Sequence, residues 1–287
     1  MEVIPSLPGL DPGTVLAQAQ SENFRVASRL LPRRVRGHLL AIYGFARLTD
    51  DIGDESMGDR LAQLDWLEAD VGRARAGEAL HPIVRRLAPT IEELDLSLEP
   101  FNNLIQANRI DQSVSRYETF EDLVGYCQLS AVPVGRLVLS VFGANIPERL
   151  ADSDNVCIGL QIVEHLQDVA EDAARGRIYL PQRELRAAGV EDSELLVGPT
   201  RPALQRVVAV QAARARRLLD SGRALAATLP PAQRVAVAGF AGGGLAALDA
   251  LQDGGFDVAG LRNRPGPMKV TVRMLDVLAR PTTGGAA

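Results

Sequence analysis

Two stretches of the chain carry carboxylates at helical spacing. In AIYGFARLTDDIGDE, residues 41–55, Tyr43, Arg47, Asp50 and Asp54 follow at steps of four, three and four, so a helix puts them on one face. In GLQIVEHLQDVAEDAARGRIYLP, residues 159–181, Gln161, Glu164, Asp168 and Asp172 recur at steps of three, four and four along one stripe. Ile162, Val163, Leu166 and Val169 run beside that stripe. Their burial would leave the acidic side bordering a cavity.

Such rows are costly on their own. Like charges at i,i+4 disfavour a helix by roughly 0.2–0.5 kcal/mol per pair, and desolvation adds to that cost. A cation offsets it. Aspartate supplies hard oxygen ligands, and Mg²⁺ takes one or two carboxylates with waters and substrate phosphate oxygens in preference to a closed protein cage. Two facing aspartate helices would provide that arrangement. Magnesium shared with a diphosphate would neutralise charge on the leaving group as a carbon–oxygen bond breaks. Arg47, one turn before Asp50, could add a charge-assisted contact to the diphosphate. A lone Asp pair at this spacing is usually a solvated helix face; two rows set in apolar helices favour the ion-binding reading.

The elements that must position these rows read as helices throughout. Apolar positions recur at helical spacing, and alternating β-branched runs are scarce, so the fold class is all-α. Proline marks expected breaks at Leu31-Pro32, Ala88-Pro89, Asn145 to Pro147, Leu180-Pro181, Gly198 to Pro202 and Leu229 to Pro231. No linker, low-complexity tract or fixed-period repeat divides the chain. One domain over 1–287 is expected, with frayed ends at about 1–12 and 280–287.

Composition removes several function classes. Hydrophobic residues make up 46% and charged residues 23%, the balance of a globular protein with a sizeable core. Net charge is −5, from 31 Lys plus Arg against 36 Asp plus Glu, without a basic block to track a phosphate backbone, so no nucleic-acid partner is expected. Cys127 and Cys157 lack zinc-site spacing and read as reduced structural thiols. The start, MEVIPSLPGLDPG, has neither a basic leader nor an apolar signal core, which points to the cytoplasm. The longest uncharged apolar stretch, Val235 to Leu248, is shorter than the ~20 residues of a spanning helix and reads as buried or membrane-touching.

A Tyr-x-x-x-Arg segment leads into the first acidic row, and an Arg-Ile-Tyr segment follows the second. In this the chain resembles the squalene and phytoene synthase family over about residues 20–260. The resemblance implies the all-α isoprenoid synthase (type I terpenoid synthase) fold, a helical bundle around a central prenyl cavity. Within the family, ENFRVASRLLP (22–32), YCQLSAVPVGRLVL (126–139) and QDVAEDAARGRIYLP (167–181) are similar to the bacterial hydroxysqualene synthases of hopanoid biosynthesis. That branch ionises presqualene diphosphate with Mg²⁺, rearranges the cation and captures it with water.

Carried over by position, the resemblance implies that Asp50, Asp54, Asp168 and Asp172 hold magnesium, with Glu164 a further metal candidate and Asp51 supporting the first row. Tyr126 joins the catalytic set. Tyr43, Arg47, Ala131, Val134, Gly135, Gln161, Arg177 and Tyr179 form the substrate-binding set. Glu164 stands where many members have Asn, and Gln167 where Arg is common, which bears on metal stoichiometry. Implied partners are a prenyl diphosphate substrate, a presqualene diphosphate synthase, a flavin-dependent hydroxysqualene reductase and, peripherally, the inner face of a membrane. Two alternatives stand beside this one: condensation of two prenyl diphosphates to presqualene diphosphate, squalene or a carotenoid precursor, and an inactive lipid-binding or assembly protein, against which the intact clusters argue.

Other residues read more plainly. His165 is more often structural than a base, Trp66 and Phe101 are packing residues, and Thr119 caps a helix. Arg116 and Tyr117 are weak site candidates. Gly242, Gly243 and Gly244 lack the strand–turn–helix setting of a phosphate loop and favour close helix packing over passage of a prenyl chain.

Overall fold

The computed structural model describes residues 31–196, 200–258 and 265–279, and these form helices with no strand among them. The ends expected to fray, and most of the 22–32 segment, lie outside the described residues. The chain divides into two compact units, Met1–Val114 with Leu129–Ile146 and Ser115–Gln128 with Pro147–Ala287.

In the first unit, α1 (Arg33–Asp54) packs against α2 (Arg60–Ala74), α3 (Pro82–Glu93), α4 (Glu99–Ile110) and α6 (Val132–Val141). Its buried face is Leu39, Ile42, Phe45, Leu48 and Ile52, at helical steps of three and four. Each such side chain contributes about 1.5–3 kcal/mol on burial. Phe45 meets Phe101 edge-on, centroids 5.2 Å apart, so Phe101 is the packing residue expected. Trp66 is half-buried, with the Arg73 guanidinium 5.7 Å from its ring centre. Asp70 is fully buried and accepts from the backbone N–H groups of Leu80 (2.7 Å) and His81 (2.9 Å), fixing the loop into α3.

The break expected at Pro89 does not occur: α3 continues through it to Glu93. Pro89 and Arg85 are both exposed, so the carbonyl left without its usual donor can bond to water, which softens the penalty of an interior proline.

In the second unit, α7 (Pro147–Gln167) packs on α10 (Pro202–Ala227) and α11 (Pro231–Asp253), and α11 packs on α12 (Pro267–Ala279). Short α8 (Val169–Ala174) and α9 (Gln182–Ala188) follow α7. A Cβ on Gly242 would lie 2.6 Å from the Met274 backbone nitrogen, and one on Gly244 2.8 Å from Leu160 Cδ2. The triple glycine therefore serves close packing. Arg216 and Arg273 converge on Asp249 at 2.9 and 2.8 Å, while Lys269 meets Asp253 at 2.6 Å. Desolvation pushes the Asp249 carboxyl up, but Arg273 and Arg216 outweigh it and hold it below the usual range.

The helix carrying Val235 to Leu248 extends further than its uncharged stretch. Pro231–Asp253 and Phe120–Val141 are both long and apolar enough to cross a membrane by length and composition. In those windows 72% and 56% of the residues are buried inside the protein, as in core helices.

Candidate active site

The first acidic row sits on the last turns of α1. Asp50 and Asp54 are exposed, Tyr43 and Arg47 half-buried, and Asp51 faces inward at 4% exposure. Asn108 on α4 donates from Nδ2 to Asp50 Oδ1 at 3.2 Å. Asp50 reaches solvent, yet enough protein surrounds it that desolvation, with Asp54 adding repulsion, raises its carboxyl to about 7 despite the Asn108 bond. Desolvation also raises Asp51, opposed by Arg47.

Arg47 Nε lies 2.7 Å from Asp51 Oδ1, and its Nη2 lies 3.6 Å from Glu55. Its charge is already shared between two carboxylates, so a diphosphate contact by Arg47 stands as a proposal. Arg60 closes the end of α1 by donating to the carbonyls of Gly53 (3.0 Å), Asp54 (2.9 Å) and Ser56 (3.0 Å). Gln112 donates a further bond to Gly53 O at 3.0 Å. Ala131, buried, precedes α6, whose first residues include half-buried Val134 and buried Gly135.

The second row is not one unbroken helix. α7 ends at Gln167, Asp168 takes φ −110° and ψ 15°, and α8 starts at Val169. The four-residue register survives the break: the Asp168 N–H donates to Glu164 O (3.0 Å) and the Asp172 N–H to Asp168 O (2.8 Å). Glu164 and Asp168 are exposed, Gln161, His165 and Asp172 half-buried, while Ile162, Val163, Leu166 and Val169 are buried as expected. Gly176, at φ 82°, stops the helix in the left-handed region. The following N–H of Arg177, itself half-buried, returns to Asp172 O at 2.8 Å.

Beyond that turn Ile178 forms an isolated parallel bridge with Arg116, and its N–H donates to Ser115 O at 2.9 Å. The bridge brings together rings far apart in sequence. Tyr179 stacks on His165 (centroids 3.7 Å, 14°) and on Tyr117 (5.8 Å, 18°). Tyr126 lies 5.3 Å from Tyr117 and 5.8 Å from Tyr179. His165 Nδ1 is 3.8 Å from Asp172 Oδ2, and its Nε2 is 3.3 Å from Gln161 Nε2.

Sequence reasoning read His165 as structural and Tyr117 as a minor site candidate, without foreseeing that both pack on Tyr179, and did not single out Asn108. Three of the chain's four tyrosines meet here, and that scarcity of aromatic residues was the available signal. Arg116 is tied to Asp192 (2.8 Å) and Gly176 O (3.1 Å), a brace for the bridge. Thr119 caps α5 (Phe120–Ser130) as expected, accepting from the Asp122 N–H at 3.1 Å. On α5, desolvation pushes the buried Cys127 thiol up to about 12, as a structural thiol requires.

No three His, Cys, Asp or Glu side chains gather as a closed metal cage among the described residues. The donors come as spaced carboxylates on accessible faces, with Asp50 held up by desolvation and a like charge that a cation would relieve. That donor set fits a hard ion which completes its shell with water and phosphate oxygens.

The family model described as squalene/phytoene synthase matches residues 17–274, through both units and both acidic rows. A hydroxysqualene synthase from Rhodopseudomonas palustris is 39% identical over 219 residues, covering 73% of this chain and 72% of that one. Phytoene synthase 1 of Arabidopsis thaliana is 31% identical over 231 residues, covering 77% and 54%. The crystal structure of squalene synthase HpnC from Alicyclobacillus acidocaldarius aligns at TM-score 0.79 and 40% identity, over 85% of this chain and 94% of that one. A dehydrosqualene synthase aligns at TM-score 0.83 and 22% identity, over 93% of each, and so shares the fold. These matches agree with the all-α class read from helix spacing and with the isoprenoid synthase fold that the resemblance implies, and the chain belongs to the squalene/phytoene synthase family.

Proposed function

We propose that this enzyme is a magnesium-dependent hydroxysqualene synthase, ionising presqualene diphosphate and capturing the rearranged cation with water. The observation that carries the reading is the pair of accessible carboxylate rows, each backed by a buried apolar helix face. Asp50 and Asp54 on one row, and Asp168 and Asp172 with Glu164 on the other, would hold magnesium. The ion would supply neutralising charge to the departing diphosphate. Asp51 and Arg47 steady the first row through their ion pair, and Arg47 is proposed to reach the diphosphate. Tyr43, Gln161 and Arg177 are proposed to contact the substrate head. The ring faces of Tyr126 and Tyr179 suit a carbocation, which an aromatic quadrupole attracts. Ala131, Val134 and Gly135 offer small apolar surfaces for a prenyl chain. The 39% identical hydroxysqualene synthase supports the choice within the family.

The test supplies purified protein and Mg²⁺ with presqualene diphosphate or with farnesyl diphosphate and identifies the lipid product by mass spectrometry. Hydroxysqualene from presqualene diphosphate, abolished by chelation, is expected. A second reading, condensation of two prenyl diphosphates, is favoured by the 40% identical structure described as a squalene synthase. Turnover of farnesyl diphosphate alone would replace the first reading with this one. On the first reading the product goes to a flavin-dependent reductase, and the enzyme works in the cytoplasm with peripheral contact to the membrane's inner face.

A further inference from the structure

We propose that Asn108 is a positioning residue that orients Asp50 through a neutral hydrogen bond, and that Gly53 is the space kept open for its carboxamide. The inference rests on the reading of Asp50 as a magnesium-holding carboxylate and deepens it.

Asn108 is 7% exposed on α4, and its Nδ2 lies 3.2 Å from both Asp50 Oδ1 and Leu104 O. Both partners are acceptors, so the amide nitrogen must face them and Oδ1 must turn away, toward Gly53. A Cβ built on Gly53 would lie 2.0 Å from that Oδ1 and 2.9 Å from Cγ, closer than any side chain tolerates. One turn later Gln112 Nε2 donates to Gly53 O (3.0 Å) and to Asn108 O (2.9 Å), fixing the same α1 turn to α4. Two uncharged amides therefore grip the segment that carries Asp50.

Their neutrality has a purpose. Lys or Arg at this place would orient Asp50 equally well but would cancel the charge an incoming cation needs. A carboxamide fixes the rotamer through Oδ1 and leaves the formal charge and Oδ2 for the ion. Partners of this kind, one step removed from a metal, typically change its affinity 10–100-fold when lost.

The full chain is titrated calorimetrically with Mg²⁺ in the presence of inorganic pyrophosphate, and the metal-free variants are melted in parallel. Asn108→Ala and Gly53→Ala should each weaken Mg²⁺–pyrophosphate binding about tenfold. The double variant should be no weaker than Asn108→Ala alone, because the added methyl then meets no carboxamide. If Asn108→Ala fails to fold, Gly53→Ala still decides, since it displaces the amide without deleting it. Parental affinity in either single variant, or losses that add in the double, would overturn the inference. A parent that does not bind Mg²⁺–pyrophosphate, or Asp50→Asn with unchanged affinity, removes the Asp50 reading itself and this inference with it.

Discussion

The two acidic rows are built differently. The first rides on one unbroken 22-residue helix, pinned by Asn108, Gln112 and Arg60. The second is divided at Asp168 between α7 and α8 and is flanked by stacked rings. Like-charged side chains can thus be held in place by hydrogen-bond donors from neighbouring elements, two carboxamides and a guanidinium here, or by aromatic packing beside a bend. In the first unit rigidity comes from hydrogen bonds to backbone carbonyls and one carboxylate. Beside the second row, Tyr179 stacks on both His165 and Tyr117.

The largest test asks whether the rows are equal in chemistry despite that difference. Asp50→Asn and Asp168→Asn should each reduce turnover of presqualene diphosphate by about 100- to 1000-fold, the usual loss when a group stabilising the developing charge is removed. Steady-state product formation reads this out, and a loss confined to one row would break the equivalence. Next, Tyr179→Leu should lower turnover about tenfold by removing ring contacts worth roughly 0.5–1.5 kcal/mol each, whereas Tyr179→Phe should stay near the parent. Equal losses in both variants would mean that the hydroxyl, and not the stack, matters.

Away from both rows, Gly242→Ala should cost about 1–3 kcal/mol of stability through overpacking against the Met274 backbone. The midpoint of thermal unfolding should fall by several degrees while turnover per folded molecule is kept. The smallest effect concerns pH. The folded-state pKa of Asp50, about 7, lies above the ordinary aspartate value of 3.8, so its stabilising contribution is complete below 3.8 and is lost as pH rises through 7. Metal-free Asp50→Asn should therefore gain stability over the parent as pH climbs across that window, modestly because the carboxylate reaches solvent. Unfolding curves at pH 4.5 and 8 measure it, and a constant difference between the two proteins would contradict the assignment.

The helical class was legible in steps such as Leu39, Ile42, Phe45, Leu48 and Ile52, because burial on one face leaves a local periodic trace. Both acidic rows were legible for the same reason, since all their members lie within a few turns. Pro89 was misleading because its cost depends on whether water can reach the Arg85 carbonyl, which spacing does not encode. The break at Asp168 was hidden because Leu166 and Val169 keep helical spacing on either side of it. Asn108 lies 58 positions from Asp50, and Tyr179 is brought to Tyr117 by a bridge at Ile178. Contacts of that range follow from tertiary packing and leave no pattern in a window of residues.

The ion pair between Lys269 and Asp253 has a practical side. Lys269 is the single lysine among the chain's 31 basic residues, the others all being arginine. Its amine is half-exposed, on the helix that packs against Gly242. A succinimidyl fluorophore thus finds one side-chain nucleophile of its class, and the dye it leaves there would report the docking of that helix.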